Sequence, residues 1–109
     1  MPRNQLVTDI RAALEGEQET ETTGSYGAVS VGTSPVELIA SSPGRASFLI
    51  QNVSTDTRAY VGFDSSVTPS NGTAVPAKAG TYADDTYTGS VYVVAESADT
   101  DIRFQEIVG

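Results

Sequence analysis

The side chains best suited to chemistry in this sequence are two pairs of acids, Asp84-Asp85 and Asp99-x-Asp101. Clustered carboxylate oxygens are what calcium and magnesium prefer, but neither pair has the spacing of an EF-hand loop. Two carboxylates could also hydrolyse a glycosidic bond. A sugar-stacking cleft is poorly supplied, however, since the chain has three Phe, five Tyr and no Trp. The acids therefore fit solvated loops best, and we predict no metal site and no cofactor.

The residue types that are missing restrict catalysis further. The sequence has no cysteine, which excludes disulfides, thiolate metal sites and thiol nucleophiles. It has no histidine, the usual general base near neutral pH. The serines thus lack an evident activating base, and the single loop glycines Gly72, Gly80 and Gly89 form no phosphate-binding motif. We predict that the protein is not an enzyme.

The charge of the chain excludes two classes of partner. Fourteen acids against six bases give a net charge of −8, and Lys78 is the only lysine. An acidic surface repels phosphate, so we expect no nucleic-acid binding. No apolar run approaches the ~18–20 residues of a membrane span, and no export signal is visible, so we expect no membrane association. Scarce lysine also suits a high-salt cytoplasm; a halophilic origin and an ordinary acidic protein both stay open.

The first part of the chain reads as an arm. Residues 4–15 place an apolar stripe at helical spacing, formed by Leu6, Val7, Ile10, Ala13 and Leu14. A helix this short is marginal alone, so the stripe should find a partner in sister subunits, another protein or its own domain. We take Leu6, Val7, Ile10 and Leu14 as candidate interface residues. The chain then divides into a helical anchoring arm at 1–15, an acidic polar linker at 16–27 and an antiparallel β domain at 28–109.

The β domain centres on Arg45–Phe63, which reads as two strands, Ala46–Val53 and Arg58–Phe63, joined as a core hairpin. Seven or eight short strands with turns every 8–12 residues predict a mainly β fold, an antiparallel β-sandwich or small jelly roll. The expected core is Val29, Val31, Leu38, Phe48, Ile50, Val61, Phe63, Val91, Val93, Ile102 and Phe104.

Two kinds of surface feature remain open. The sequons at Asn52 and Asn71 could carry glycans, but both fit unmodified strand-end or turn positions better. The tyrosines Tyr60, Tyr82, Tyr87 and Tyr92 could form an interface or occupy half-buried strand positions. Of these, Tyr87 is counted as a candidate interface residue.

Three phrases carry a family resemblance. They are PVELIASSPGRASFLIQN, AYVGFDSSVTPSNGTAVPA and YTGSVYVVA, in that order. They resemble small virion proteins of tailed viruses of bacteria and archaea, in which a line like R-x-S-L-L-I-Q-N precedes V-Y-V-G, T-x-x-N-G and Y-T-G-x-V-Y. The resemblance covers about two thirds of the chain, from Pro35 to Ile107, and not the arm. It implies β-sandwich modules that decorate capsids, build vertex turrets or sit on tails and fibres, and it brings no catalytic residues.

We therefore expect a structural virion protein, a capsid decoration or turret component anchored by its arm. Its charge places it on the outer surface of the capsid or tail, away from packaged DNA. Expected partners are sister subunits, as a trimer or pentamer, and the major capsid or other virion structural proteins. If the halophilic origin holds, the virus is haloarchaeal. The alternative is a carbohydrate- or receptor-binding module of a spike, tail or fibre, which contacts a host-surface glycan through loops 64–73 and 83–89.

Overall fold

The computed structural model describes residues 22–109, and this part of the chain consists of strands, turns and loops. The strands are β1 (Thr23–Val31), β2 (Val36–Ile39), β3 (Arg45–Asn52), β4 (Ala59–Gly62), β5 (Thr73–Val75), β6 (Gly80–Asp84), β7 (Val91–Ala95) and β8 (Thr100–Val108). The predicted mainly β fold of seven to eight antiparallel strands is confirmed. Residues 22–109 contain no helix that is long and apolar enough to cross a membrane.

The predicted N-terminal arm lies outside the described residues. This applies to the helix at 4–15, to its candidate interface residues Leu6, Val7, Ile10 and Leu14, and to residues 16–21 of the predicted linker.

The strands form two four-stranded antiparallel sheets. Sheet A has the order β1-β8-β3-β6, and sheet B has the order β2-β7-β4-β5. The pairs β1–β8, β2–β7, β3–β6 and β4–β5 are successive pairs of one long hairpin, rolled so that alternate pairs fall in opposite sheets. Two further pairs, β3–β8 and β4–β7, complete the sheets. This eight-stranded order is that of a jelly roll.

The core hairpin predicted at the centre of the chain is wrong, although both of its strands exist. β3 lies in sheet A between β8 and β6, whereas β4 lies in sheet B between β7 and β5. Residues 53–58 therefore cross from one sheet to the other instead of turning back. This link lacks the two-residue Asn-Gly or Asp-Gly turn that twists adjacent strands into a hairpin. The buried side chain of Asn52 forms hydrogen bonds with residues 53–58 and holds this link between the two sheets.

Strand β1 begins earlier than predicted, at Thr23 rather than Ala28. Residues 23–27, assigned to the linker, pair in register with residues 104–108 of β8. Their sequence, TGSYG, has little apolar content because most of these side chains face solvent. Backbone pairing with a long neighbour, and not side-chain burial, makes this segment a strand.

The core lies between the two sheets. Among the predicted core residues, Val31, Leu38, Phe48, Ile50, Val61, Val91, Val93 and Ile102 are buried. Val29 and Phe104 are partly buried and pack against them. The prediction that Phe63 lies in the core is wrong, because Phe63 is 48% exposed. Because β4 ends at Gly62, the inward–outward alternation stops one residue before this phenylalanine.

The two sheets differ on their outer faces. The link 63–72 folds over the outside of sheet B and builds a second apolar cluster there. Its members are Tyr60, Val67, Tyr92 and Val94. A Cβ atom on Gly62 or Gly72 would lie 2.5 or 2.7 Å from the Val67 side chain, so only glycine lets the link approach this closely. Within residues 22–109, no comparable cluster covers the outside of sheet A.

The links between strands gather at the two ends of the sandwich. Because β3 runs from one end to the other, we call them the Arg45 end and the Asn52 end. The Asn52 end carries the links 32–35, 53–58, 76–79 and 96–99. The Arg45 end carries the links 40–44, 63–72 and 85–90, together with Thr22 and Gly109.

Asn52 joins the two sheets at its end. Its side-chain amide Nδ2 donates to the carbonyl oxygens of Thr57 (2.8 Å) and Val75 (3.0 Å). Its Oδ1 accepts from the backbone N (3.0 Å) and Oγ (2.7 Å) of Ser54. Both donors and both acceptor sites of the amide are thus used, and the residue is fully buried. A glycan on the sequon at Asn52 would require this side chain to leave the interior.

We predict that Asn52→Ala lowers the free energy of unfolding by about 3 kcal/mol, because it removes a buried amide that makes four hydrogen bonds. Urea unfolding followed by circular dichroism measures this change. The control is Gln51→Ala, one residue away on the outer face of the same strand, which should cost less than about 0.5 kcal/mol. Equal losses for the two variants would contradict the structural role of Asn52.

Candidate functional site

The Arg45 end brings together the two loops singled out by the sequence. The rings of Phe63 and Tyr87 lie 4.4 Å apart between centroids, with their planes tilted by 42°. Phe63 is about half exposed, and Tyr87 is partly buried. This aromatic pair is the candidate contact surface. Sequence reasoning missed Phe63 because its apolar side chain continues the alternation of β4.

Tyr87 is fixed by polar contacts on three sides. Its backbone N donates to Asp84 Oδ1 (2.9 Å), and its hydroxyl donates to the carbonyl oxygen of Ser90 (2.8 Å). Its own carbonyl oxygen accepts from Arg45 Nη1 (3.0 Å). A Cβ atom at Gly89 would collide with the Tyr87 ring and hydroxyl, so the loop closes tightly around this side chain. Tyr87 is therefore the fixed side of the contact surface, and Phe63 contributes its exposed ring.

Arg45 lies beneath this surface with its side chain fully buried. Its Nε donates to Glu106 Oε2 at 2.9 Å. Its other donors reach three backbone carbonyl oxygens, those of Tyr87 (3.0 Å), Gly89 (3.0 Å) and Ala40 (2.7 Å). The guanidinium also lies 5.3 Å from the ring centroid of Phe48. One cation thereby holds β3, β8 and two loops that cross between the sheets, which a fork of five N–H donors permits.

Two of the four acids considered as metal ligands, Asp84 and Asp101, make hydrogen bonds within the protein. Asp84 Oδ1 accepts from Thr86 N, Thr86 Oγ1 and Tyr87 N at 2.7–3.0 Å. These bonds, chiefly the one from the Thr86 backbone, hold the pKa of Asp84 below its usual value. Asp101 pairs with the exposed guanidinium of Arg103 at 3.0 Å, and this hydrogen bond lowers the pKa of Asp101.

The two acid pairs also lie apart. Asp84 and Asp85 follow one another at the Arg45 end, whereas Asp99 and Asp101 lie at the Asn52 end. Among the described residues, no group of three or more acids is placed to hold a metal ion.

No family model matches the chain, and no curated protein matches it. A structure of Bacillus endospore appendages, described as a novel family of disulfide-linked pili, is similar over 81% of this chain and 86% of that chain. Its TM-score is 0.50 and its identity is 5%.

A second similar structure is Aeromonas hydrophila PliG, a periplasmic lysozyme inhibitor of g-type lysozyme. Its TM-score is 0.33 and its identity is 7%, over 84% of this chain and 88% of that chain. A TM-score this low supports no argument. At 5% identity, the likeness to the appendage protein shows a shared fold and nothing further.

We predict that Arg45→Met lowers the free energy of unfolding by about 3–5 kcal/mol. The change leaves a nearly buried carboxylate without its cation and three carbonyl oxygens without the donors that Arg45 supplies. The control is Arg103→Met, which removes the same residue type from an exposed ion pair and should cost far less than Arg45→Met. Chemical unfolding of both variants gives the comparison. A loss below about 1 kcal/mol at Arg45 would mean that the buried cation does not hold the loops.

Proposed function

We propose that this protein is a structural, non-catalytic subunit of a larger particle, a virion protein of a tailed virus. In this proposal residues 1–15 anchor the chain, and the jelly roll is displayed outward as a capsid decoration or turret component. The main support is that the buried polar side chains of residues 22–109 form hydrogen bonds that hold loops together.

The buried polar side chains of residues 22–109 are Arg45, Asn52 and Thr100. Thr100 contacts Thr57 Oγ1 at 2.8 Å and donates to the carbonyl oxygen of Ser97 at 2.9 Å. Like Arg45 and Asn52, it connects links at one end of the sandwich. An active site would normally place polar or titratable groups in a cleft with their reactive atoms free. Here those groups are committed to holding loops, which favours a scaffold.

The phrases that resemble virion proteins coincide with structural elements. The first spans β2, its link and β3; the second spans β4, the covering link and β5; the third spans residues 87–90 and β7. They contain Arg45, Asn52, Gly62, Gly72 and Gly89, each of which makes a close contact that the fold needs. The resemblance therefore supports a shared scaffold.

The fold likeness to pilus subunits agrees with a role in a repeated assembly at a surface or outside the cell. The disulfide links described for those pili have no counterpart here, because this chain has no cysteine. Subunits of this protein would have to associate through non-covalent contacts. The net charge of −8 favours a position away from DNA.

The point of attachment follows from where the described chain begins. Thr22 lies beside Gly109 at the Arg45 end. An anchor at 1–15 would therefore connect to that end of the sandwich. The aromatic pair of Phe63 and Tyr87 lies at the same end, which suits a contact with a neighbouring virion protein.

The test of this proposal is incorporation into particles. We expect the triple variant Leu6→Ser/Ile10→Ser/Leu14→Ser to reduce the copy number at least tenfold in purified particles measured by quantitative mass spectrometry. The matched control changes three polar positions of the same segment, Gln5→Ser/Thr8→Ser/Arg11→Ser, and should leave the copy number unchanged. Normal incorporation of the first variant would refute anchoring by the arm.

A second function, glycan or receptor binding, is favoured by the accessible Phe63 ring. It predicts reproducible binding of the full chain to a glycan array, reduced at least tenfold by Phe63→Ala with an unchanged circular dichroism spectrum. Tyr87→Ala is the poorer variant, because it removes the ring and hydroxyl that the 85–90 loop is folded around. An array without reproducible binding would leave only the structural role.

A further inference from the structure

The edges of the two sheets are unequally protected. Three of the four edge strands carry features that discourage pairing with another chain. β2 has four residues, follows Pro35, contains Glu37 and has an irregular register; β5 has three residues and is followed by Pro76; β6 has five residues and ends in Asp84. Such short, charged or Pro-flanked edges are typical of strands that must stay unpaired.

β1 has none of these features. It runs for nine residues, TGSYGAVSV, with no charged residue, no proline and no bulge against β8. Among the described residues it pairs on one side only. Most of it is exposed, and Tyr26 is 88% exposed. A long, flat and uncharged edge offers a row of backbone donors and acceptors to another strand.

We propose that β1 pairs with β1 of a second copy, antiparallel and about a two-fold axis, to join two copies of sheet A. A single unprotected edge has an equal partner only in the same edge of another copy. Such a contact is isologous and closes as a dimer, whereas a ring or filament would need a second receptive edge at β6. This inference does not depend on which particle the protein belongs to.

The charge distribution favours this partner. Two copies of a chain with net charge −8 repel each other, and like charges placed directly opposite across strands would oppose pairing. Because β1 has no charged side chain, its self-pairing places no such charges opposite one another. The acidic chain is neutral along the edge where two copies would have to meet.

The register follows from matching the faces of the two strands. Ser25, Gly27, Val29 and Val31 share the inward face, since they are opposite the inward residues of β8. Inward residues must face inward residues, so odd numbers pair with odd numbers. A pair centred on Gly27 aligns all nine residues. It places Tyr26 of each copy opposite Ala28 of the other on the outer face.

The test compares like and opposite charges at this edge, in the full chain. Tyr26→Lys/Ala28→Lys and Tyr26→Glu/Ala28→Glu each place like charges opposite one another and should halve the mass measured by light scattering. Mixing the two variants in equal amounts should restore the mass of the unmodified protein. The matched control is Thr81→Lys/Ala83→Lys, which adds the same charges to exposed positions of the other edge of sheet A and should leave the mass unchanged.

Other results would overturn the proposal and assign the edge elsewhere. If neither β1 variant changes the measured mass, the copies associate through other surfaces. An assembly with an odd number of copies whose mass neither variant changes would lead to the same conclusion. A mass halved by the β6 variant as well would indicate a β1–β6 contact. A monomeric unmodified protein whose β1 backbone amides all resist hydrogen exchange would show that its own residues 1–21 cover the edge.

Discussion

The jelly roll of this protein depends on burying polar side chains at both ends of one strand. β3 begins at Arg45 and ends at Asn52, and both side chains point into the sandwich. Links that cross between sheets carry backbone carbonyl groups into the interior at the corners, and each such group needs a donor. Arg45 and Asn52 donate six hydrogen bonds there, five of them to backbone carbonyls. Apolar packing brings the sheets together, but these two side chains decide which links meet.

The same constraint explains how the candidate surface is built. One member of the aromatic pair, Tyr87, lies on a loop whose carbonyl oxygens accept hydrogen bonds from Arg45, and Tyr87 contributes one of those oxygens. A change beneath the surface would therefore move the surface itself. The outside of sheet B is covered by residues 63–72, which present Phe63, while the outside of sheet A has no such cover among residues 22–109. Within the described residues, one face is thus closed by the chain itself, whereas the other face and its β1 edge are not.

The sequence predicts the elements of this fold better than their arrangement. Alternating apolar residues locate most strands and the core, because burial on one face leaves a period of two. The same pattern cannot show whether β3 and β4 share a sheet. Two apolar strands with a polar link occur both in a hairpin, where the strands pair, and in a link that crosses from one sheet to the other. Asn52 decides the matter through contacts with Thr57 and Val75, and the second of these is distant in sequence. The buried role of Arg45 is equally hidden, because an arginine after Pro-Gly reads as a turn residue on the surface.

The errors at β1 and Phe63 have a common physical origin. Both come from treating apolar content as a measure of structure, yet 23–27 is a strand through backbone pairing, and Phe63 is apolar without being buried. Sequence patterns are least informative about sheet edges and loop ends, where unpaired backbone groups or an exposed ring contact solvent. In an acidic protein the informative signal there is a lack of charge. The TGSYGAVSV stretch carries none, although the chain has 20 charged residues among 109. Strands that must remain unpaired are normally given charges, prolines or bulges, so a neutral nine-residue edge is best explained by a partner that the fold is built to accept.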